Sequence, residues 1–311
     1  MSTAFLFPGQ GSQAVGMGKA LYEAFAVSRA VFDEVDAALG QTLTALMFEG
    51  PSDELMLTAN AQPALMAVSL AALRALESER GLNLARDATF VAGHSLGEYS
   101  ALAAAGALSI TDTARLLRIR GDAMQKAVPV GVGGMAALIG ATKEQAAEVA
   151  AEAAEGEVCE LANDNGGGQV VISGHKSAIE RAIPIAQAKG IRRAMPLPVS
   201  APFHCPLMQP AAEAMAAALA SATIRTPVVP VVANVLAAAI TDPDEIRRRL
   251  VEQVTGSVRW AESMAWLGGK GVTRFVEVGS GKVLSGLVKR IVDGAGTANV
   301  ATPDEVAAYC A

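Results

Sequence analysis

A serine between two glycines is the clearest chemical signal in this chain of 311 residues. The pentapeptide Gly93-His94-Ser95-Leu96-Gly97 fits G-x-S-x-G, in which a nucleophilic serine lies on a tight turn between a strand and a helix. Residues 88–92 form a short apolar run typical of a strand, and residues 98–105 an alanine-rich run typical of a helix. In such an elbow the backbone N–H of Leu96 can stabilise an oxyanion. We therefore predict that Ser95 is a nucleophile.

A serine hydroxyl is a weak nucleophile and needs a general base. Three histidines are present. His94 adjoins Ser95 and should point away from it, so packing is its expected role, and His175 opens a predicted helix, which favours a structural role. His204 lies in a proline-bracketed loop and is the base by elimination. Its neighbour Cys205 is expected to be a small packing residue rather than a thiol nucleophile.

The residues leave open what would orient this histidine. A serine–acid–histidine order requires an acid between positions 95 and 204, and the candidates without distinguishing context are Asp112, Asp122, Asp164 and Glu180. The alternative is a serine–histidine dyad whose imidazole is held by a backbone carbonyl. A second oxyanion donor is also needed, and the backbone N–H of Gln10 is a candidate because its glycine-rich loop, Phe7–Gln13, follows the first predicted strand. A merely structural turn is the alternative for that loop.

Alternating strand and helix patterns predict an α/β fold with a mostly parallel sheet. Strands are predicted at Thr3–Phe7, 88–92, 228–233 and 274–278. Helices are predicted at Gly18–Leu39, Gln62–Glu79, Asp112–Ala127 with Asp112 as N-cap, Pro206–Ala222, Pro243–Val254 and Lys282–Val292.

Residues 130–198 follow a different order, strand-helix-strand-strand-helix-strand, which is the ferredoxin-like split arrangement. Thr142 is the expected N-cap of the first of its helices. We predict a small inserted subdomain at 130–198, and a large domain formed by 1–129 and 199–311. A cleft between two such units is a usual ligand site.

Composition excludes several classes of protein. A net charge of −6 argues against nucleic acid as a general partner. The sequence has no apolar run long enough to predict a membrane helix. The N-terminus lacks the pattern of a signal peptide. Three cysteines without a C-x-x-C pair predict neither disulfides nor a metal site, and suit a cytoplasmic protein.

One local strip opposes the overall charge, because Glu180 is the single acid among the basic residues Lys176, Arg181, Lys189, Arg192 and Arg193. That strip is either a solvated helix face or a docking surface for an acidic partner.

Six segments, in order and covering nearly the whole chain, resemble the malonyl-CoA:acyl carrier protein transacylase family. They are Phe-Pro-Gly-Gln-Gly-Ser-Gln at 7–13, Gly-His-Ser-Leu-Gly-Glu at 93–98, Arg-Gly-Asp-Ala-Met-Gln at 120–125, Gly-Gln-Val-Val-Ile-Ser-Gly-His at 168–175, Pro-Leu-Pro-Val-Ser-Ala-Pro-Phe-His at 196–204 and Glu-Val-Gly-Ser-Gly-Lys-Val-Leu at 277–284. The resemblance implies a hydrolase-like α/β core with a ferredoxin-like insert. It also implies transfer of a malonyl group from malonyl-CoA to the phosphopantetheine thiol of an acyl carrier protein. A serine esterase or thioesterase is the alternative.

The resemblance also assigns roles. It implies Ser95 as the acylated nucleophile, His204 as the base, and the N–H groups of Gln10 and Leu96 as the oxyanion hole. Among three arginines that sequence alone does not distinguish, it selects Arg120 to bind the malonyl carboxylate. The remaining implied residues are Phe203, which limits the acyl group to malonyl, Gln253, whose backbone carbonyl holds His204, and Asn163 and Asn165, which line the cleft. The substrates are malonyl-CoA and the carrier, and no cofactor or metal is expected.

Overall fold

Two β-sheets of unequal size organise the computed structural model, which describes residues 2–199 and 201–310. The large sheet has the strand order β11-β10-β1-β2-β7-β8, and all neighbouring strands run parallel except β8. The small sheet has the order β6-β3-β5-β4-β9. The strands are β1 (Thr3–Phe7), β2 (Phe90–Gly93), β3 (Gly133–Ile139), β4 (Cys159–Asp164), β5 (Gln169–His175), β6 (Arg193–Pro196), β7 (Val231–Ala233), β8 (Ala238–Ile240), β9 (Val258–Arg259), β10 (Arg274–Val278) and β11 (Gly296–Val300).

Helices pack around both sheets, and a short 3-10 helix spans Pro206–Met208. The α-helices are α1 (Lys19–Ala24), α2 (Ala26–Leu39), α3 (Leu43–Glu49), α4 (Ser52–Met56), α5 (Thr58–Arg80), α6 (Leu84–Asp87), α7 (Gly97–Ala104), α8 (Ile110–Lys126), α9 (Lys143–Ala154), α10 (Lys176–Ala188), α11 (Gln209–Ser221), α12 (Pro243–Thr255), α13 (Trp260–Gly269), α14 (Val283–Ile291) and α15 (Pro303–Ala308). The predicted mixture of strands and helices is therefore confirmed.

The first strand lies at the centre of the large sheet, and its five residues are all buried. Because successive side chains of a strand point to opposite faces, Phe5 and Phe7 pack into one hydrophobic core and Ala4 and Leu6 into another. A strand covered on both faces is expected to be apolar throughout, as this one is. Helix α5 packs into the first of these cores and is buried along most of its length.

The small sheet has a core of its own, which α9 and α10 complete. Its strands β3, β4, β5 and β6 are antiparallel neighbours, and the chain passes through them in the order β3-α9-β4-β5-α10-β6. Thr142 caps α9 as expected, since its side chain accepts a hydrogen bond from the Gln145 N–H in a capping box. The fifth strand, β9, comes from outside this segment and pairs in parallel with β4.

Several local predictions differ from the structure, among them the start of α5, which lies at Thr58 rather than Gln62. The helix predicted over Gly18–Leu39 is two helices, because Phe25 adopts an extended conformation between α1 and α2. The N-cap of α8 is Ser109 rather than Asp112, since the Ser109 hydroxyl accepts a hydrogen bond from the backbone N–H of Asp112. The strand predicted from residue 228 begins at Val231.

Candidate active site

The serine elbow joins β2 to α7 and requires glycine on both sides. Ser95 has a φ of 52°, a left-handed conformation that costs a serine free energy. A Cβ on Gly93 would lie 1.9 Å from the carbonyl oxygen of Gly97, and a Cβ on Gly97 would lie 2.2 Å from the carbonyl oxygen of Phe7. The G-x-S-x-G spacing is therefore what lets the turn close against β1 while it presents Ser95 at the carboxyl edge of the large sheet.

Asn234, which the sequence analysis missed, holds this strained turn. Its Oδ1 accepts a hydrogen bond from the Ser95 N–H at 2.7 Å, and its Nδ2 donates to the Gly93 carbonyl at 2.7 Å. Asn234 directly follows β7, the neighbour of β2 in the sheet. A polar residue at the carboxyl end of a predicted parallel strand was the available signal.

His204 is placed as a base. Its Nε2 lies 2.8 Å from Ser95 Oγ, and its Nδ1 lies 2.9 Å from the Gln253 carbonyl oxygen and 3.1 Å from that of Gly256. Two carbonyl acceptors keep the proton on Nδ1, so Nε2 is free to accept the serine proton. Burial, and then the nearby Arg120 cation, lower the pKa of His204 to about 3.

The dyad alternative agrees with this arrangement. Among the described residues no carboxylate hydrogen-bonds to His204, so none of the four acids considered from sequence contacts it. Gln253 supplies the carbonyl, as the resemblance implied. The carbonyl fixes the tautomer and orientation of the ring without adding a full negative charge beside it.

Arg120 is the arginine that reaches the nucleophile. It lies on the buried stripe of α8 and is 2% exposed. Its Nη2 donates to Ser95 Oγ at 3.1 Å and to Gln253 Oε1 at 2.9 Å, and its Nη1 donates to Gln62 Oε1 at 2.7 Å. Arg118 instead donates to an asparagine near the surface. Arg120 lies three residues after Leu117 and four before Met124, both buried, and this helical spacing is a signal that could have distinguished it from the other arginines.

Among the described residues no carboxylate forms a direct ion pair with Arg120, although the buried Glu98 lies near enough to interact with its charge. Its three acceptors are uncharged oxygens, and its buried Nε has no hydrogen-bond partner. Burial lowers the pKa of Arg120, but a guanidinium stays protonated in proteins. A buried cation of this kind favours a ligand that brings a carboxylate, because arginine binds carboxylates through two parallel hydrogen bonds.

The predicted oxyanion donors lie at the same place. Gln10 follows β1 and Leu96 follows the nucleophile, and both line the cavity that contains Ser95. In the described part of the chain neither backbone N–H donates to a protein acceptor. The side chain of Gln10 is held by α5, since its Oε1 accepts a hydrogen bond from Thr58 Oγ1 at 2.8 Å. The two N–H groups are thus available to a reacting carbonyl oxygen.

A cavity of about 380 Å³ surrounds these groups, between the large and small sheets. Phe203, Asn163 and Asn165 line it, as predicted. His94 Nε2 donates to Asn165 Oδ1 at 2.8 Å, a contact that joins the elbow to the small sheet. The Oδ1 of Asn163 is buried and, within residues 2–199 and 201–310, unpartnered. Both asparagines therefore face the cleft, one of them with an acceptor to offer a ligand.

The remaining histidine and the cysteine beside the base have packing roles. His175 Nδ1 accepts a hydrogen bond from the Val158 N–H at 2.9 Å, within the small sheet. Cys205 is buried, and its Sγ donates to the Pro202 carbonyl. Burial raises the pKa of the Cys205 thiol, which keeps it from forming a thiolate nucleophile.

The basic strip is largely paired with nearby acids. Arg181 lies 2.6 Å from a Glu157 carboxylate oxygen, and Lys189 lies 3.0 Å from Glu152. Lys176 is 3.8 Å from Glu180. Across the described residues, the two members of the strip without an ion pair are Arg192 and Arg193 at the exposed edge of the small sheet.

Two kinds of feature are absent from the described residues. No helix there has the length and apolar character needed to span a membrane. No group of three or more histidine, cysteine, aspartate or glutamate side chains is arranged to hold a metal ion within that same part of the chain.

Known proteins support the resemblance. The sequence model of the family described as acyl transferase domain matches residues 4–302 of this chain. The malonyl CoA-acyl carrier protein transacylase of Escherichia coli strain K12 is 48% identical over 290 residues, 93% of this chain and 93% of that protein. The solved acyl-carrier-protein-S-malonyltransferase from Bartonella henselae is 56% identical, with a TM-score of 0.97 over 99% of this chain and 98% of that one.

A further solved structure holds a type II PKS acyl-carrier protein in complex with its malonyl-transacylase, at 42% identity and a TM-score of 0.95 over 99% of this chain and 98% of that one. The similarity thus extends over nearly the full length of each protein, and the region that the family model matches spans the positions of Ser95, Arg120 and His204. This chain belongs to the malonyl CoA-acyl carrier protein transacylases, within the acyl transferase domain family.

Proposed function

We propose that this chain transfers a malonyl group from malonyl-CoA to the phosphopantetheine thiol of an acyl carrier protein. The observation that supports this most directly is the buried Arg120 guanidinium, which lies 3.1 Å from Ser95 Oγ and has no direct contact with a carboxylate among the described residues. A cation at that distance suits an acyl group that ends in a carboxylate. The names of the relatives agree with this substrate and this acceptor.

The reaction proceeds in two transfers through Ser95. In the first, Ser95 Oγ attacks the thioester carbonyl while His204 Nε2 takes its proton, and the N–H groups of Gln10 and Leu96 stabilise the oxyanion. The C–S bond then breaks, and His204 returns the proton to the CoA sulfur, which leaves a malonyl-Ser95 ester. In the second, the carrier thiol gives its proton to His204, its sulfur attacks the ester, and Ser95 Oγ recovers the proton as the C–O bond breaks.

Intact-protein mass spectrometry after incubation with malonyl-CoA tests this function. We expect one added malonyl group on the unmodified chain, its loss upon addition of the phosphopantetheinylated carrier, and no addition to Ser95→Ala. If the malonyl group is released as free malonate faster than it reaches the carrier, the chain is a thioesterase and the proposal is wrong.

The selectivity for malonyl depends on Arg120 in this proposal. Arg120→Ala should lower kcat/KM for malonyl-CoA by one to two decades, about 1–3 kcal/mol, because the acyl carboxylate loses its charged partner. Transfer of acetyl from acetyl-CoA should rise relative to malonyl. Arg118→Ala, on the same helix but bonded to Asn60, is the matched control and should keep the selectivity. Equal selectivity in both variants would contradict the role of Arg120.

We further propose that the chain forms two units, a hydrolase-like core of 1–129 and 199–311 and a ferredoxin-like insert at 130–198. The β3-α9-β4-β5-α10-β6 order and the separate small core support the second unit. The parallel central strands and the elbow at their carboxyl edge support the first.

The exposed edge of the insert is our proposed docking surface for the acidic carrier. Of the basic strip, Arg192 and Arg193 hold the charge that nearby carboxylates do not neutralise. They lie on or beside β6, whose continuation at Leu197 lines the cavity that contains Ser95, so a carrier bound there would lie on the strand that leads to this cavity.

A further inference from the structure

Glu98 is a buried carboxylate directly behind the nucleophile. It lies in the first turn of α7, three residues after Ser95, and is 1% exposed. A carboxyl group at this depth costs free energy unless it is hydrogen-bonded. Its Oε2 accepts hydrogen bonds from the Asn234 N–H at 3.0 Å and from Gln253 Nε2 at 2.8 Å. Glu98 takes no part in the acyl transfer steps described above.

Both partners of Glu98 also bind the backbone of Ser95. The side chain of Asn234 accepts from the Ser95 N–H at 2.7 Å, and Gln253 Nε2 donates to the Ser95 carbonyl at 3.0 Å. The backbone carbonyl of Gln253 holds His204. A single carboxylate thus anchors residues that touch the nucleophile, the base and the arginine.

The amide of Gln253 has one favourable orientation in this site. Its Nε2 faces two acceptors, the Ser95 carbonyl and the Glu98 carboxylate, while its Oε1 faces the Arg120 Nη2 donor at 2.9 Å. An amide turned by 180° would place its oxygen against two acceptors and its NH₂ against a guanidinium. Glu98 is therefore one of the two acceptors that hold the amide nitrogen away from Arg120, and the only one of the two that carries a carboxylate.

We propose that Glu98 is a positioning residue of the acyl site, which holds the Gln253 amide so that Oε1 orients Arg120 toward the acyl carboxylate. This inference rests on the proposed malonyl transfer. In this proposal the selectivity depends on Glu98 as well as on Arg120. If the Gln253 Oε1 is not held in place, the Arg120 guanidinium loses one of its three acceptors and is no longer oriented by it.

The test compares Glu98→Gln with Glu98→Leu. A glutamine at this position keeps an oxygen that can accept both hydrogen bonds, whereas leucine keeps none. We expect Glu98→Gln to hold the ratio of kcat/KM for malonyl-CoA to that for acetyl-CoA within about threefold, and Glu98→Leu to lower it at least about tenfold. Labelling of Ser95 by a fluorophosphonate should persist in both, since the elbow remains.

Glu277 is the matched control. It is also a fully buried glutamate, and it accepts hydrogen bonds from the backbone of Leu284 and Ser285 at the start of α14. Glu277→Gln and Glu277→Leu change the same chemical group outside the network and should leave the malonyl-to-acetyl ratio unchanged. A fall of the ratio in the Glu277 variants equal to that in Glu98→Leu would overturn the proposal, because general loss of stability would then explain both.

Gln253→Leu provides a second route if Glu98→Leu does not fold. It removes the amide but keeps the backbone carbonyl that holds His204, and it should lower the ratio to the same extent. In the double variant the two losses should not add, since both act through one amide. An unchanged ratio in Gln253→Leu, or additive losses, would overturn the role of Glu98. Absence of malonyl transfer by the unmodified chain would instead contradict the proposed function.

Discussion

The imidazole of His204 is neutral in the folded protein at pH values where free imidazole carries a proton. Its pKa of about 3 follows from burial and from the Arg120 cation. We therefore expect acylation by malonyl-CoA to show no acid limb near the usual histidine pKa of about 6.5. The measurement is kcat/KM against pH in the Glu98→Gln variant, which lacks the other titrating group of the network. A limb centred near 6.5 would contradict the burial of this base.

Glu98 gives the stability of the protein a pH dependence of predictable sign. Burial raises its pKa from 4.5 to about 7. Between these values the folded chain binds more protons than the unfolded chain, so the stability that Glu98 contributes is present below pH 4.5 and is lost as the pH rises to 7. Glu98→Gln should therefore gain stability relative to the unmodified chain across this window. Urea unfolding of both proteins at pH 5 and pH 7 measures the difference, and a constant difference would contradict the shift.

Single residues were predictable where their chemistry is rare in the sequence. Ser95 follows from a five-residue pattern, and His204 from the small number of histidines. Arg120 is one of several arginines on α8, and only the resemblance selected it. Gln62 and Asn234 were missed, because a neutral amide becomes informative only when the fold brings it to a buried cation or a strained turn.

At the scale of elements, the elbow depends on close backbone contact. Gly97→Ala would place a Cβ 2.2 Å from the Phe7 carbonyl oxygen, so either β1 or α7 must shift. We expect a loss of stability of about 3 kcal/mol and loss of acylation. Gly286→Ala, in α14 with no atom within 4 Å of the added Cβ, is the control and should be neutral or slightly stabilising. Comparable unfolding midpoints for the two variants would contradict this account.

Elements with a clear local pattern were predicted well whatever their length, and elements without one were not. The bounds of β1 and β10 agree with prediction to the residue, and α12 differs by one. The two-residue β9 and the neighbouring α13 were not predicted. Strand β9 exists because β4, almost a hundred residues earlier, supplies its backbone partners, and no local pattern records such a pairing.

At the scale of the whole molecule, the net charge of −6 opposes the approach of an acidic carrier. Arg192→Glu and Arg193→Glu together should raise KM for the carrier at least about tenfold and leave KM for malonyl-CoA unchanged, with the effect shrinking at high salt. Lys270→Glu and Lys289→Glu together change the net charge by the same amount at positions away from the cavity lining, and serve as the control. Equal effects of the two changes would contradict docking at the small-sheet edge.

The division into two sheets was predictable from periodicity, but the cleft between them was not. The residues on the two sides of the cleft are far apart in sequence. One contact that joins them, His94 to Asn165, pairs two residues that carry no shared pattern. The motifs predicted which residues react, whereas the distances between these residues depend on long-range packing that the motifs do not record.

The β4–β9 pairing has a consequence for motion. Asn163 pairs with Val258 and Asp164 with Arg259, so a backbone ladder continues from the small sheet into the segment that leads to α13. A hinge motion that moved the two sheets apart would break these backbone hydrogen bonds beside the acyl site. The chain should therefore admit substrate by rearranging side chains at the cavity mouth while the cleft keeps a constant width. Slow amide hydrogen exchange along β9, unchanged through acylation, is the expected signature of such a rigid enzyme.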